Sequence, residues 1–403
     1  MTFSRYFIIS ALSLLASAII HAQALDYINA DANVIAMNGD NWSTLRSSLA
    51  SLQENNASIS ILQIGDSHIQ ADWSASVVRQ RLQSEFGNAG RGCIAALRLA
   101  GTNQPEDYRL SADTAALCSS RLLAKEWKAG MGVTGVAVTF ASPEHRLKIA
   151  TDAECGGFSS VTLLHQPGPG YATAMIGDSL LVGEPVTPSA TRYRLNYTVD
   201  SLSLRTSFDS PFSGAYLQLN SPGVEFNAIG NNGACFSSYL NIPDFAELTR
   251  VFTPSLIILS MGTNEAFGSD SDEQIYCCID TLVQQLRKVH PSAKFLLTTP
   301  MECHKKVTRA TRRRRRGRYR KTTAFVTNRR VAEVRNVILR YGRDHKLPVW
   351  DLYVIAGGEG ASAKWIADGL MNPRDHVHCL KSGYELRGAL LSDALLKQLK
   401  PTE

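Results

Sequence analysis

Ser67 follows a short apolar run and a glycine, at a point where strand-like spacing gives way to helical spacing. The run 61–64 is typical of a buried strand, and Gly65 interrupts it just before the serine. Apolar residues at helical spacing predict a helix over 69–86. A serine in a sharp strand-to-helix turn exposes its hydroxyl at the carboxyl edge of a sheet, where hydrolases present a nucleophile. The plainer interpretation is a turn whose serine caps the helix.

A histidine and an aspartate near the other end of the chain could activate such a serine. Attack on a carbonyl needs a base that takes the hydroxyl proton, and His378 can do this. Asp375, three residues earlier, can hold the imidazole in the right tautomer and stabilise its cation. The alternative is a surface Asp-His pair that caps a helix. His376 is a second candidate base, although an aspartate directly before it suits the tautomer geometry less well.

Two further turns, each after a predicted strand, contain candidate donors for an oxyanion. The backbone N–H groups of Ser67 and Gly233 and the side-chain amide of Asn264 would together supply three donors. Either turn could instead be purely structural, with glycine permitting a tight backbone. His68 could help to position Ser67, but we interpret it as a hydrogen-bonded structural histidine. We interpret Glu265 as a helix cap and not as a catalytic acid.

The remaining pattern alternates strands with helices, which predicts a parallel, doubly wound sheet. Because the carboxyl ends of parallel strands meet at one edge, the polar turns should converge there. Apart from the segments named above, the predicted strands cover 224–229, 255–261, 294–299 and 349–355, and the predicted helices cover 272–290, 329–346 and 382–399.

One long segment interrupts this alternation of strands and helices. Residues 93–221 contain short alternating segments bounded by Gly, Pro, Ser and Asp, which predict an inserted antiparallel β-sandwich or jelly roll. The α/β domain is then discontinuous and consists of 25–92 and 222–403.

The first 24 residues have the pattern of a secretory signal peptide. Arg5 provides a positive charge, 6–20 form an apolar stretch, and Ala22-Gln23-Ala24 offers a cleavage site. No later stretch is long and apolar enough to span a bilayer. We therefore expect a periplasmic or secreted protein; the alternative is an uncleaved N-terminal membrane anchor.

The chain has eight cysteines, and an even number in an exported protein suggests disulfides. Their pairing is not readable from the spacing, although Cys303 and Cys379 should both lie near the carboxyl edge of the sheet and could form a bridge. The spacings contain no pattern typical of a zinc site.

Positive charge is concentrated in one segment. Residues 304–330 contain 13 lysines and arginines and no acidic residue, so the remainder of a chain with net charge +6 carries about −7. The run Arg312–Lys321 cannot bury itself and is predicted to be a mobile loop. It could bind nucleic acid, an anionic membrane surface or an anionic polymer, or be solvated without a partner. Export argues against nucleic acid as a physiological partner.

Taken together, four short blocks resemble those of the SGNH, or GDSL, hydrolase family. They are Gly65-Asp66-Ser67, Gly233, Gly262-Thr263-Asn264 and Asp375-x-x-His378. The longer segments 65–72, 86–92 and 230–234 are similar to an exported bacterial subgroup that includes peptidoglycan O-acetylesterases with an inserted carbohydrate-binding-like β domain.

The resemblance implies a flavodoxin-like three-layer α/β/α fold and a triad that works without metal or other cofactor. It assigns catalysis to Ser67, Asp375 and His378, and the oxyanion hole to Ser67, Gly233 and Asn264. We therefore expect a serine esterase that removes O-acetyl groups from a cell-envelope polysaccharide. The alternatives are a lipase, thioesterase or acyltransferase that uses the same site, and a non-catalytic protein that binds envelope glycans; binding of nucleic acid is a more distant one.

Overall fold

The computed structural model describes residues 25–400 except 169, 208 and 313–318. For 309–312 and 319–321 it describes the backbone alone. The predicted signal peptide, residues 1–24, lies outside the described residues. Within the part that is described, no helix combines the length and apolarity needed to cross a membrane.

A six-stranded sheet forms the centre of the fold, and five of its strands run parallel. The prediction of an α/β fold with a parallel sheet is confirmed. The sixth strand is a two-residue antiparallel edge. In spatial order the strands are Ile35–Ala36, Val349–Trp350, Lys294–Thr298, Leu256–Ser260, Ser58–Gly65 and Gly223–Gly230.

Helices cover both faces of this sheet, so each strand needs apolar side chains on both sides. Leu62 and Ile64 point into one core, and Ile59 and Ile61 point into the other. The first core is covered by Phe236–Leu240, Phe245–Leu248, Asp272–Val289 and Arg330–Asp344. The second is covered by Ser43–Ala50, Trp73–Phe86, Leu352–Ile355, Ala361–Ala367 and Lys381–Leu399.

Two antiparallel sheets are formed by residues that lie in sequence between the central strands Ser58–Gly65 and Gly223–Gly230. The five-stranded sheet has the order Ser179–Val182, Thr173–Ile176, Ser201–Ser207, Glu144–Thr151 and Tyr108–Ala112. The seven-stranded sheet has the order Glu184–Thr187, Ala190–Val199, Phe158–His165, Phe212–Gln218, Val136–Phe140 and Ala116–Arg121, with Gly92–Ala95 paired beside Phe212–Gln218. Both sheets contribute to a single apolar core, for example through Leu147 and Phe212. The domain boundaries at 92/93 and 221/222 stay a prediction.

The single helix predicted over 69–86 is wrong in one respect, because the structure has two helices there. Ser67–Gln70 and Trp73–Phe86 are separated at Asp72, whose φ of 62° lies in the left-handed region. The buried Asp72 carboxylate accepts hydrogen bonds from the guanidinium groups of Arg79 and Arg91. The contact with Arg91, 19 residues away, comes from outside both helices and cannot be inferred from helical spacing.

The strand predicted over 349–355 is also shorter than expected. Only Val349–Trp350 is extended, and a short helix follows from Leu352. Asp351 lies between them and accepts hydrogen bonds from the Thr299 hydroxyl and the Arg335 guanidinium. These contacts turn the chain away from the sheet although its apolar pattern continues.

The segment predicted to be a basic loop contains a hairpin, which we call the basic hairpin. His304–Arg312 and Tyr319–Thr327 pair as an antiparallel two-stranded sheet. The intervening 313–318 and the side chains of the Arg312–Lys321 run lie outside the described residues. At its base the His304 N–H donates to the His376 carbonyl oxygen over 3.0 Å, which attaches the hairpin to the chain just before His378.

The predicted Cys303–Cys379 bridge is wrong, since all eight cysteines are free thiols in the structure. Both residues are buried near the carboxyl edge of the sheet, as expected. The Cys379 sulfur, however, faces the Met301 sulfur and the Arg387 guanidinium, each at 4.0 Å.

Candidate active site

The sheet register brings three of the predicted polar turns to one place. Gly65 is opposite Gly230 on one side and Ser260 on the other, so all three parallel strands end at the same level. The residues that follow these strand ends therefore emerge side by side at the carboxyl edge.

The structure places Ser67, His378 and Asp375 in one chain of hydrogen bonds. The Ser67 hydroxyl lies 2.9 Å from His378 Nε2, and His378 Nδ1 lies 3.1 Å from Asp375 Oδ2. Asp375 can accept only from a protonated Nδ1, so Nε2 is left free to accept the serine proton. All three side chains are half-buried, which leaves the serine oxygen reachable from solvent.

Asp375 is held in position by several donors. Its Oδ1 accepts the backbone N–H groups of Val377 at 2.9 Å and His378 at 3.0 Å, and its Oδ2 accepts the Asn372 side-chain amide at 3.2 Å. Burial by itself would raise the pKa of Asp375, but these backbone bonds and the contact with His378 outweigh it and keep the pKa below its ordinary value. The carboxylate is therefore ionised at neutral pH. Asn372 was missed by sequence reasoning, and its only signal is its place three residues before the aspartate.

Asp66 shapes the turn that presents the serine. Its Oδ1 accepts the N–H of His68 at 2.8 Å and so caps the short helix that starts at Ser67. Burial raises the pKa of Asp66 to about 6. The serine thus sits in a rigid turn, and the capping role proposed for the serine itself falls to Asp66.

The loop after Gly230 brings Gly233 to the same edge. A side chain at Gly230 would come within 2.2 Å of the Gln70 backbone nitrogen, so only glycine lets this strand end lie against the Ser67 helix. Gly233 has a φ of +82°, a backbone conformation that L-residues rarely adopt.

The Asn264 amide lies between the Ser67 turn and the Gly233 loop. Its Nδ2 donates to the Ala234 carbonyl oxygen over 3.0 Å and contacts Asp66 Oδ2 at a longer 3.4 Å. The short bond fixes the amide, while the long one is weak. A ligand oxyanion could take the place of the Asp66 contact.

His68 and Glu265 make contacts that support the structural interpretation of each. His68 is buried, its Nδ1 lies 2.9 Å from the Tyr384 hydroxyl and 3.1 Å from Arg387, and burial holds its pKa well below the ordinary value. Glu265 accepts the N–H of Phe236, the first residue of a helix, over 2.8 Å. Burial raises the pKa of Glu265 to about 7.

His376, the second candidate base, faces the basic hairpin. Its Nδ1 is 2.9 Å from His304 Nδ1, and its ring stacks on Phe325 with centroids 3.8 Å apart. This geometry favours His378 as the base. Two histidines alone do not make a metal site, and in the described part of the chain no three His, Cys, Asp or Glu side chains are grouped to hold a metal ion.

Gln70 is a further residue of the site that sequence reasoning missed. Its Oε1 accepts the N–H of Asn232 over 2.7 Å, and its Nε2 donates to Asn103 Oδ1 over 2.7 Å. It therefore links the end of the Ser67 helix to the loop that carries Gly233. Its only sequence signal is its place in the segment 65–72 that resembles the exported subgroup.

Comparison with solved structures shows a shared fold. A structure of a peptidoglycan O-acetylesterase superposes with a TM-score of 0.74 at 20% identity, covering 91% of this chain and 99% of the other. Two other matches are much weaker. A lipase/acylhydrolase from Enterococcus faecalis has 22% identity and a TM-score of 0.31, covering 45% of this chain and 80% of the other. A family two carbohydrate esterase from Clostridium thermocellum has 11% identity and a TM-score of 0.29, covering 71% of this chain and 99% of the other. Scores this low say nothing about the fold. No curated protein sequence matches the chain.

The sequence profile of the GDSL-like lipase/acylhydrolase family matches residues 175–386, just over half of the chain. The matched range begins after Ser67 and contains Gly233, Asn264, Asp375 and His378. The chain belongs to the GDSL-like lipase/acylhydrolase family.

Proposed function

We propose that this acylhydrolase is an exported serine esterase that removes O-acetyl groups from a cell-envelope polysaccharide, with peptidoglycan as the leading candidate. The observation that carries the proposal is the hydrogen-bonded series Ser67–His378–Asp375 at the carboxyl edge of the sheet. Such a series suits acyl transfer because it gives a hydroxyl nucleophile a base and orients that base.

In the proposed reaction, the Ser67 oxygen attacks the ester carbonyl while His378 Nε2 takes the hydroxyl proton. The tetrahedral intermediate collapses when the C–O bond to the sugar breaks, and His378 returns the proton to the departing sugar hydroxyl. Water, deprotonated by His378, then attacks the acetyl-serine, and acetate leaves as the Ser67 hydroxyl is restored. Asp375 stays ionised and stabilises the imidazolium in both halves.

The developing oxyanion would be bound by the backbone N–H groups of Ser67 and Gly233 and by the Asn264 amide. These groups come from the ends of three adjacent strands, so their relative positions are set by the sheet. Donors that are already in place need no reorganisation as charge develops, which makes them effective in the transition state.

Asn264→Ala is expected to lower kcat by about 100-fold or more and to change KM little, because the amide binds the oxyanion and not the neutral ester. The measurement is steady-state hydrolysis of p-nitrophenyl acetate. Asn241→Ala, at an exposed asparagine, is the control. A rise in KM with kcat intact would mean that Asn264 only binds substrate.

Two features support the polysaccharide ester and the extracytoplasmic location. The chain shares its fold, over 91% of its length, with an enzyme that acts on O-acetylated peptidoglycan. The coverage includes most of the antiparallel sheets, which could contact a glycan. The signal-like segment 1–24 supports export to the periplasm or beyond.

The substrate class is tested by acetate release from acetylated peptidoglycan, acetylated xylan and acetylated polyuronate. We expect acetate from at least one polymer, and faster turnover of acetyl than of longer acyl p-nitrophenyl esters. Preference for long chains would favour a lipase or thioesterase, and acetyl transfer to an added sugar would favour an acyltransferase. If the enzyme hydrolyses none of these but binds glycan, the non-catalytic alternative would replace the proposal.

We further propose that the basic hairpin draws an anionic polymer toward the site. Its charge supports this, with 13 cationic residues and no acidic residue in 304–330. Contacts between His304 and His376 join its base to the loop that carries Asp375 and His378, so a polymer on the hairpin would lie near Ser67.

Replacing Lys305, Lys306 and the arginines 312–316 by glutamine should weaken binding to an anionic polysaccharide at least about fivefold at low salt. The difference should shrink as salt rises, because exposed charges are screened over roughly 10 Å at 0.1 M. The measurement is polymer binding by titration at several salt concentrations. A control variant replaces the exposed Lys128 and Lys148. An equal loss per removed charge in both variants would show that only net charge matters.

A further inference from the structure

A cavity of about 240 Å³ lies between the antiparallel sheets and the edge of the central sheet that carries Ser67. It is smaller than the pockets of roughly 300–1,000 Å³ that enclose drug-sized ligands, and it suits one small unit such as a single sugar ring. The residues that line it include Gln70, Thr102, Arg121, Leu123, Asn231 and Asn232.

This cavity adjoins the proposed reaction centre on two sides. Gln70 is the last residue of the short helix that begins with Ser67. Asn231 and Asn232 directly precede Gly233, whose N–H is a proposed oxyanion donor. A ligand in the cavity would therefore sit beside the ester bond that Ser67 attacks.

The polar wall of the cavity is rigid. Asn103 Oδ1 accepts from both Gln70 Nε2, at 2.7 Å, and Asn232 Nδ2, at 3.0 Å. Asn231 is buried, and its amide donates to the Thr134 carbonyl oxygen and the Tyr239 hydroxyl at 3.1 Å each. Side chains fixed in this way can orient a ligand without losing further conformational freedom.

The opposite wall comes from the antiparallel sheets and carries a free cation. Arg121 ends the strand Ala116–Arg121, where it pairs with Val136. Its side chain is exposed, and among the described residues no carboxylate lies within ion-pair distance of it. Leu123 lies over the loop that carries Gly233, since a Cβ on Gly233 would be 3.7 Å from the Leu123 Cγ.

An unpaired guanidinium beside a small polar cavity is suited to a carboxylate, which it can bind through two parallel hydrogen bonds. We propose that this cavity is a subsite for a sugar unit that bears a carboxylate, and that Arg121 recognises that carboxylate. The inference rests on the proposed esterase function and specifies its substrate. The carboxylate can belong to the ring, as in a uronic acid, or to an ether-linked substituent, as in a muramic acid.

The first test compares selectivity between acidic and neutral acetylated glycans. Arg121→Gln should lower kcat/KM for acetylated polyuronate or for acetylated peptidoglycan glycan stripped of its peptides about tenfold relative to neutral acetylated xylan. Arg121→Lys should recover part of the selectivity, because it keeps the charge but not the paired hydrogen bonds. Lys125→Gln, in the same loop but outside the cavity, should leave the ratio at the wild-type value. An unchanged ratio in Arg121→Gln overturns the proposal.

A second test does not depend on catalysis. Binding of deacetylated oligogalacturonate, muramic-acid-containing disaccharide and neutral xylo-oligosaccharide is measured by calorimetry on Ser67→Ala, with and without Arg121→Gln. A tenfold loss for one acidic ligand identifies which carboxylate is recognised. Equal affinity of both proteins for both acidic ligands refutes the subsite even if the enzyme is an esterase. If no acetylated glycan is hydrolysed but the acidic affinity depends on Arg121, the esterase proposal fails and the subsite stands.

Discussion

Ser67→Ala is expected to lower the turnover of p-nitrophenyl acetate by a factor on the order of 10⁴ or more. Alanine has no oxygen to attack the ester, so no acyl-enzyme can form. The loss should appear in kcat, because the alanine removes only a hydroxyl from a half-buried side chain and leaves room for the substrate. Initial rates with a large excess of variant protein measure the residual activity.

Ser76→Ala is a matched control for this result. Ser76 is also half-buried, and its hydroxyl donates to the Trp73 carbonyl oxygen within the next helix, away from His378. It should retain most of the activity, and both variants should melt within a few degrees of the wild type. Substantial turnover by Ser67→Ala would refute the assigned nucleophile and with it the proposed mechanism.

Asp375→Asn is expected to lower kcat about 10³- to 10⁴-fold with the fold intact. If the new NH₂ replaces Oδ2, it donates to His378 Nδ1 and forces the proton onto Nε2, which can then no longer accept from Ser67. If it replaces Oδ1 instead, it faces the N–H groups of Val377 and His378, which are also donors. In either orientation the amide cannot accept hydrogen bonds at both positions, as the two carboxylate oxygens do.

Measuring the melting temperature beside kcat separates this explanation from a general loss of stability. The pKa of Asp375 lies below its ordinary value, so its carboxylate contributes stability above the unfolded-state pKa and loses it only as the pH falls through the lowered folded-state pKa. Asp375→Asn should therefore lose this contribution at neutral pH and melt at a somewhat lower temperature, while kcat of the protein that remains folded should still fall by the factor given above. Asp368→Asn, at an exposed aspartate that accepts from Tyr27, is the control. A kcat within a few-fold of the wild type in Asp375→Asn would remove Asp375 from the mechanism.

Local patterns predicted much of the scaffold. The strands over 224–229 and 294–299 and the helix over 272–290 are confirmed to within about one residue at each end. These elements are specified by apolar spacing and end signals along a short stretch, for example the capping box between Ser271 and Gln274. Predictions were wrong where a partner outside the element contacts the chain at the break, as Arg91 does at Asp72 and Arg335 does at Asp351.

The basic hairpin shows a different limit. Its charge and lack of apolar periodicity favour a loop when the segment is considered alone. In the structure the strands pair with one another, and Phe325 packs on His376 outside the segment. Cross-strand pairing and one aromatic stack thus override a local preference.

By itself the sequence determined the chemical groups available to this protein: a serine in a sharp turn, a histidine with an aspartate three residues before it, and glycine and asparagine turns after apolar strands. The tertiary structure alone decided that Ser67 and His378, 311 residues apart, lie 2.9 Å from one another. It alone brought the Asn372 amide to the Asp375 carboxylate, and Arg121 to the cavity beside the loop that carries Gly233. The physical reason is that side-chain types and their periodicity are local properties of the sequence. The distances between strand ends are set by the hydrogen-bond register of a parallel sheet, and the strands of that sheet come from remote parts of the chain.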